Sequence, residues 1–101
     1  MKFIHLIDEN YKKGYNVAEY ARLLYIWSRS LSELTQQQLN KTPSQMIRER
    51  IILEAQRLLL YSNLNISLVG YRLDFDDASY FVKYFKKHTG VSPSEFKKSV
   101  S

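Results

Sequence analysis

Apolar residues recur at three- and four-residue spacing along nearly the whole chain, with polar residues filling the positions between. That is the period of helices with one buried face, not the alternation of a strand. Phe3, Ile4, Leu6 and Ile7 with Tyr11 predict a first helix closing near Lys12-Lys13-Gly14, where basic residues precede the glycine that ends a helix. Asn16 stands three residues before Glu19, a reciprocal capping pattern that opens a short helix with Val17, Tyr20, Ala21 and Leu24 on one face. After a break near Tyr25-Ile26-Trp27, a third helix is predicted from about Ser28 to Leu39, pinned by Leu31, Leu34 and Thr35.

The next boundary is the sharpest. Thr42-Pro43-Ser44-Gln45 supplies a capping hydroxyl and a proline at the first helical position. Nothing breaks the helix from there to Leu60, and Ile47, Ile51, Ala55, Leu58 and Leu59 keep helical spacing, giving a rod about 27 Å long. A short helix from about Ile66 to Leu73, another from Asp77 to about His88, and a last one capped by Ser92-Pro93-Ser94-Glu95 complete an all-α reading of about seven helices.

The second half repeats the first. Thr42-Pro43-Ser44-Gln45 and Ser92-Pro93-Ser94-Glu95 lie fifty residues apart, and the same offset carries Leu31, Leu34 and Thr35 onto Phe81, Tyr84 and Phe85. Ala21 and Gly70 match with one residue inserted. Each copy reads as short helix, tight turn, longer helix, so the chain is expected to be one domain over residues 1–101 with two helix-turn-helix units joined by a long central helix. The expected bounds are about 16–40 for the first unit, 43–61 for the linker helix, 65–90 for the second unit and 92–98 for the C-terminal helix.

Composition narrows the class of function. A chain of 101 residues with 45% hydrophobic content supports one small core, and the absence of cysteine removes disulfides and thiolate metal sites. No apolar run reaches the roughly 20 residues of a membrane span, and Met1-Lys2-Phe3-Ile4-His5 does not open a signal peptide, so a cytoplasmic location away from membranes is expected. Fifteen basic against ten acidic residues leave a net charge of +5, which points to a polyanionic partner.

The stretch from Gly70 to Phe81 (GYRLDFDDASYF), followed by Phe85-Lys86-Lys87 and Gly90-Val91-Ser92-Pro93-Ser94-Glu95-Phe96, resembles the signature of the AraC/XylS family of bacterial transcription regulators. The second unit matches closely, and the first unit and long helix more loosely, over about residues 3 to 98. The resemblance implies a seven-helix DNA-binding domain with one recognition helix per unit, entering successive major grooves. Three features depart from the family: Tyr25 and Asp74 replace the glycines of the two turns, and Thr35-Gln36-Gln37-Gln38 replaces an aromatic-then-lysine sequence. A weaker electrostatic hold on DNA is therefore expected in the first unit.

Placing Leu31, Leu34 and Thr35 inward turns Arg29, Ser32, Glu33 and Gln36 outward; placing Phe81, Tyr84 and Phe85 inward turns out Ser79, Val82, Lys83 and Lys86. Arg and Lys suit guanine O6 and N7, Gln suits adenine, Glu accepts from cytosine N4, and Val82 suits a thymine methyl. Tyr80, Lys86, Lys87, Lys97 and Lys98 are expected at phosphates, which position the protein without specifying sequence. Tyr11, Tyr20, Tyr71, Phe75, Tyr84 and Phe96 are assigned to the core, while Trp27 either plugs a junction or stands exposed.

His5 and His88 lie on different helices with no third ligand at metal spacing, and Asp77, beside Asp74 and Asp76, reads as a helix cap. No catalytic constellation or phosphate-cradling glycine loop is present, so neither an enzyme nor a cofactor is expected. The expected partner is double-stranded DNA, with RNA polymerase and a ligand-sensing or dimerisation domain absent from this chain as further partners. With no room for such a domain, the chain reads as a short stand-alone regulator or a piece of a longer protein. The rival reading is a basic helical protein-interaction module that meets an acidic partner.

Overall fold

The computed structural model describes residues 1–100, and helices are the only regular structure among them. They are α1 (Lys2–Asn10), α2 (Val17–Leu23), α3 (Ser28–Leu39), α4 (Pro43–Tyr61), α5 (Ile66–Arg72), α6 (Ala78–Thr89) and α7 (Pro93–Val100). The chain forms two compact units, Met1–Arg50 and Ile51 onward, so α4 contributes its first turns to one and the remainder to the other.

In the first unit, α1 ends in a tight turn over Tyr11–Lys13 and a left-handed Gly14 at φ 70°. Asn16 and Glu19 form the expected capping box, each side chain accepting from the other's backbone N–H at 2.9 and 3.1 Å. Phe3, Ile7, Tyr20, Ala21, Leu31 and Thr35 are buried together with Met46 and Ile47 of α4. The Phe3 and Tyr15 rings meet Tyr20 edge-on, with centroids 5.5 and 5.7 Å away. Arg50 pairs with Asp8 at 2.8 Å and lays its guanidinium over the Tyr11 ring at 4.2 Å.

The second unit buries Ala55, Leu58, Leu59, Val69, Leu73, Phe81 and Phe85. A run of aromatic contacts links Phe75 to Phe81, Phe81 to Phe85 and Phe85 to Phe96, with centroids 5.3, 6.1 and 5.6 Å apart. Gly70 lets α5 approach α6: a Cβ there would lie 2.9 Å from the Cβ of Phe81. The buried carboxylate of Glu54 accepts two hydrogen bonds from Arg57 Nε, at 3.0 and 3.1 Å, and a third from Nη2.

The repeat extends to the turn backbones. Tyr25 and Asp74 both adopt left-handed φ, 58° and 72°. The following N–H groups, of Ile26 and Phe75, reach back to the carbonyls of Ala21 and Gly70 at 3.1 and 3.0 Å. This six-to-one closure is the ordinary end of a helix at a left-handed residue.

Two core assignments differ from the sequence reading. Leu34 is 39% exposed, because Leu31 and Thr35 define the inward line of α3 and Leu34 lies well to one side of it at 100° per residue. Tyr71 is 53% exposed, since Val69, Gly70 and Leu73 face the core and the next position after Gly70 turns outward. Tyr11 and Tyr20 are buried, and Phe75, Tyr84 and Phe96 are half-buried. Trp27 stands out into solvent, 82% exposed.

Candidate nucleic-acid interface

Each longer helix of a unit presents a polar outer face opposite its buried line. On α3, Leu31 and Thr35 are fully buried while Arg29, Ser32, Glu33 and Gln36 are exposed. These four line a shallow open depression of about 470 Å³ with Gln37 and Thr42. On α6, Phe81 and Phe85 are fully buried, Ser79, Lys83 and Lys86 are exposed, and Val82 is half-buried beside them. The structure thus brings each group of four onto one side of one helix.

The two helices begin differently. Asp77 caps α6 by accepting from the Ser79 N–H at 2.7 Å. Fifty residues earlier the capping position is Trp27, whose side chain makes no cap hydrogen bond. The first N–H groups of α3 therefore lack the side-chain acceptor that α6 has, and an indole stands exposed next to them.

The faces also differ in electrostatics. Arg29 Nε and Glu33 Oε1 are 3.4 Å apart on adjacent turns of α3, a solvent-exposed pair that cancels locally. Gln36 Nε2 donates to Asn40 Oδ1 at 2.7 Å. Within α6, by contrast, Lys83, Lys86 and Lys87 face no acidic residue of the same helix. Lys86, Lys87 and His88 occupy its last turn, where cations complement the carbonyl end of the helix. The His88 ring meets Tyr84 edge-on, centroids 4.7 Å apart.

Tyr80 of α6 is exposed, with its ring centroid 5.6 Å from that of Phe75. Lys97 and Lys98 lie exposed in the last turn of α7. Overall net charge does not separate the units: eight basic residues stand against five acidic ones in Met1–Arg50, and seven against five from Ile51 onward. What separates them is clustering, with five lysines between Lys83 and Lys98.

Sequence reasoning missed Asn40, which neither lines a core nor belongs to either group of four. The signal was available in the repeat, because the residue fifty positions on is Gly90, and both are left-handed helix ends.

A family described as "Helix-turn-helix domain" matches residues 20–99. The Arabinose operon regulatory protein of Escherichia coli (strain K12) is 37% identical over 93 residues, covering 92% of this chain and 30% of that protein. The chain spans about a third of the length of the curated relatives it matches. Among solved structures, the C-terminal domain of AraT, a response regulator from Geobacillus stearothermophilus, superposes with a TM-score of 0.89 at 24% identity, covering 97% of this chain and 82% of that one. The DNA-binding domain of AdpA, solved with a target DNA, gives 0.85 at 21% identity, covering 97% of this chain and 88% of that one. Two helix-turn-helix units in tandem, matching turns and these likenesses agree: the chain belongs to the AraC-type family of helix-turn-helix transcription regulators.

Proposed function

We propose that this domain binds double-stranded DNA in a sequence-specific manner, with α3 and α6 each entering a major groove. The observation that carries the reading is the repeated outer face: two groups of four, mostly exposed and polar and related by the offset of fifty, each opposite a fully buried line, Leu31 with Thr35 and Phe81 with Phe85. The DNA held by the AdpA domain and the regulatory roles of the named relatives support it.

Arg29, Ser32, Glu33 and Gln36 on α3, and Ser79, Val82 and Lys83 on α6, are proposed to read base edges. Tyr80, Lys86, Lys87, Lys97 and Lys98 are proposed to hold phosphates and to set the register. An operator-bound domain of this kind would act on transcription through RNA polymerase, and a ligand-sensing or dimerisation domain would supply the signal; both are proposed partners.

Selection from a random duplex pool tests the function. The two reading groups differ in every residue and lie along one chain, so the selected site should be asymmetric and consist of two unlike half-sites. A pool that remains random after selection would remove the sequence-specific reading and leave a basic helical module for protein partners.

A further inference from the structure

Resting on the DNA-reading role proposed for α3, we infer that Asn40 is a positioning residue that presets Gln36 for the edge of an adenine. Gln36 is exposed at the far end of the outward face, and its Nε2 donates to Asn40 Oδ1 at 2.7 Å. The backbone that carries the acceptor is itself anchored. Asn40 closes α3 in the left-handed conformation, φ 54° and ψ 38°, with its own N–H bound to the Gln36 carbonyl at 3.1 Å.

A glutamine amide has two unlike ends, and the contact with Asn40 Oδ1 engages the amino end. One N–H goes to Asn40, and a half-turn of the Gln36 amide alone, with Asn40 Oδ1 in place, would set two carbonyl oxygens against each other. Oε1 and the second N–H remain, and they form the acceptor–donor couple that adenine requires at N6 and N7. Guanine presents two acceptors, N7 and O6, and would leave Oε1 facing an oxygen. The arrangement therefore favours adenine over guanine before the duplex arrives.

The second unit shows what Asn40 adds. Its counterpart at the end of α6 is Gly90, also left-handed at φ 87°, and the counterpart of Gln36 is Lys86. Glycine satisfies the backbone requirement alone. Asparagine at the first site satisfies it too, and supplies an acceptor one helical turn from a base-reading amide. Holding one side chain in its bound geometry corresponds to about a two- to tenfold gain in affinity for the base it suits.

The test uses the whole domain and the duplex selected from the random pool, with single A·T to G·C replacements along it, titrated at one salt concentration. Asn40→Gly keeps the backbone conformation, as Gly90 does, and removes the acceptor. It should lower the adenine preference at one position by about two- to tenfold without lowering the unfolding midpoint, because glycine takes the left-handed conformation freely. Asn40→Asp keeps an acceptor and should retain that preference while weakening all duplexes alike through its charge. Gln36→Ala should abolish the preference at the same position. Wild-type preferences in Asn40→Gly, or loss of the preference in Asn40→Asp, would overturn the inference. Absence of any sequence preference in the unsubstituted domain would instead overturn the DNA reading on which it rests.

Discussion

Tyr20 shows how one side chain can tie folding to pH. It is completely buried, and its hydroxyl has no hydrogen-bond partner among the described residues. Burial, followed by the neighbouring Tyr15 and Glu19, raises its pKa from 10.0 to about 12. The folded state therefore holds this proton more tightly than the unfolded chain. The associated stability is fully present below pH 10 and is lost as pH rises toward 12, by roughly 2–3 kcal/mol. Tyr20→Phe removes both the orphan hydroxyl and the titration, so denaturant unfolding at pH 7 should show a gain of about 1–2 kcal/mol and a shallower alkaline decline. Tyr25, by contrast, has a side chain that does not serve the fold. It is 94% exposed at φ 58°, a conformation that glycine adopts without strain. Tyr25→Gly should raise stability by about 0.5–1 kcal/mol in the same assay, and Asp74→Gly should raise it less, because Asp tolerates the left-handed region better.

At the scale of elements, caps and breakers made most boundaries legible. Asn16 with Glu19, Thr42 before Pro43, Asp77, and Ser92 before Pro93 each marked a helix start, and the helix over Ser28–Leu39 came out residue for residue. Periodicity alone was less able to settle the edges of a helical face. Leu34 and Tyr71 are large and apolar at plausible spacing, yet both lie beside the buried line, and only the packed neighbour decides which edge is covered. The outer faces of α3 and α6 were legible because their buried lines were. The contact between Gln36 and Asn40 was not, since it depends on the left-handed closure of α3. The division of labour within the second unit is directly measurable. Lys83→Ala should relax preference at one or two base pairs, at about 1–3 kcal/mol, whereas Lys97→Ala should weaken every duplex alike and lower the salt slope by about one. Equal weakening of all sequences by Lys83→Ala would assign that lysine to phosphate.

For the molecule as a whole, the repeat was the most informative feature of the sequence, because it related two faces that no single window of residues connects. Composition was less discriminating. A net charge of +5 is compatible with many acidic partners, and the near-equal charge of the two units hides the clustering of lysines between Lys83 and Lys98. No helix among the described residues is long and apolar enough to cross a membrane. The central claim is that this domain grips a duplex through its phosphates and selects sequence with two reading helices. The most direct test is fluorescence anisotropy of the selected duplex and of a scrambled one, titrated with the domain across a range of salt concentrations. If about four to six phosphates are neutralised, log affinity should fall against log salt with a slope of roughly −4 to −5, and the selected duplex should stay tighter throughout. A slope near zero, or equal affinity for the two duplexes at every salt concentration, would contradict the account.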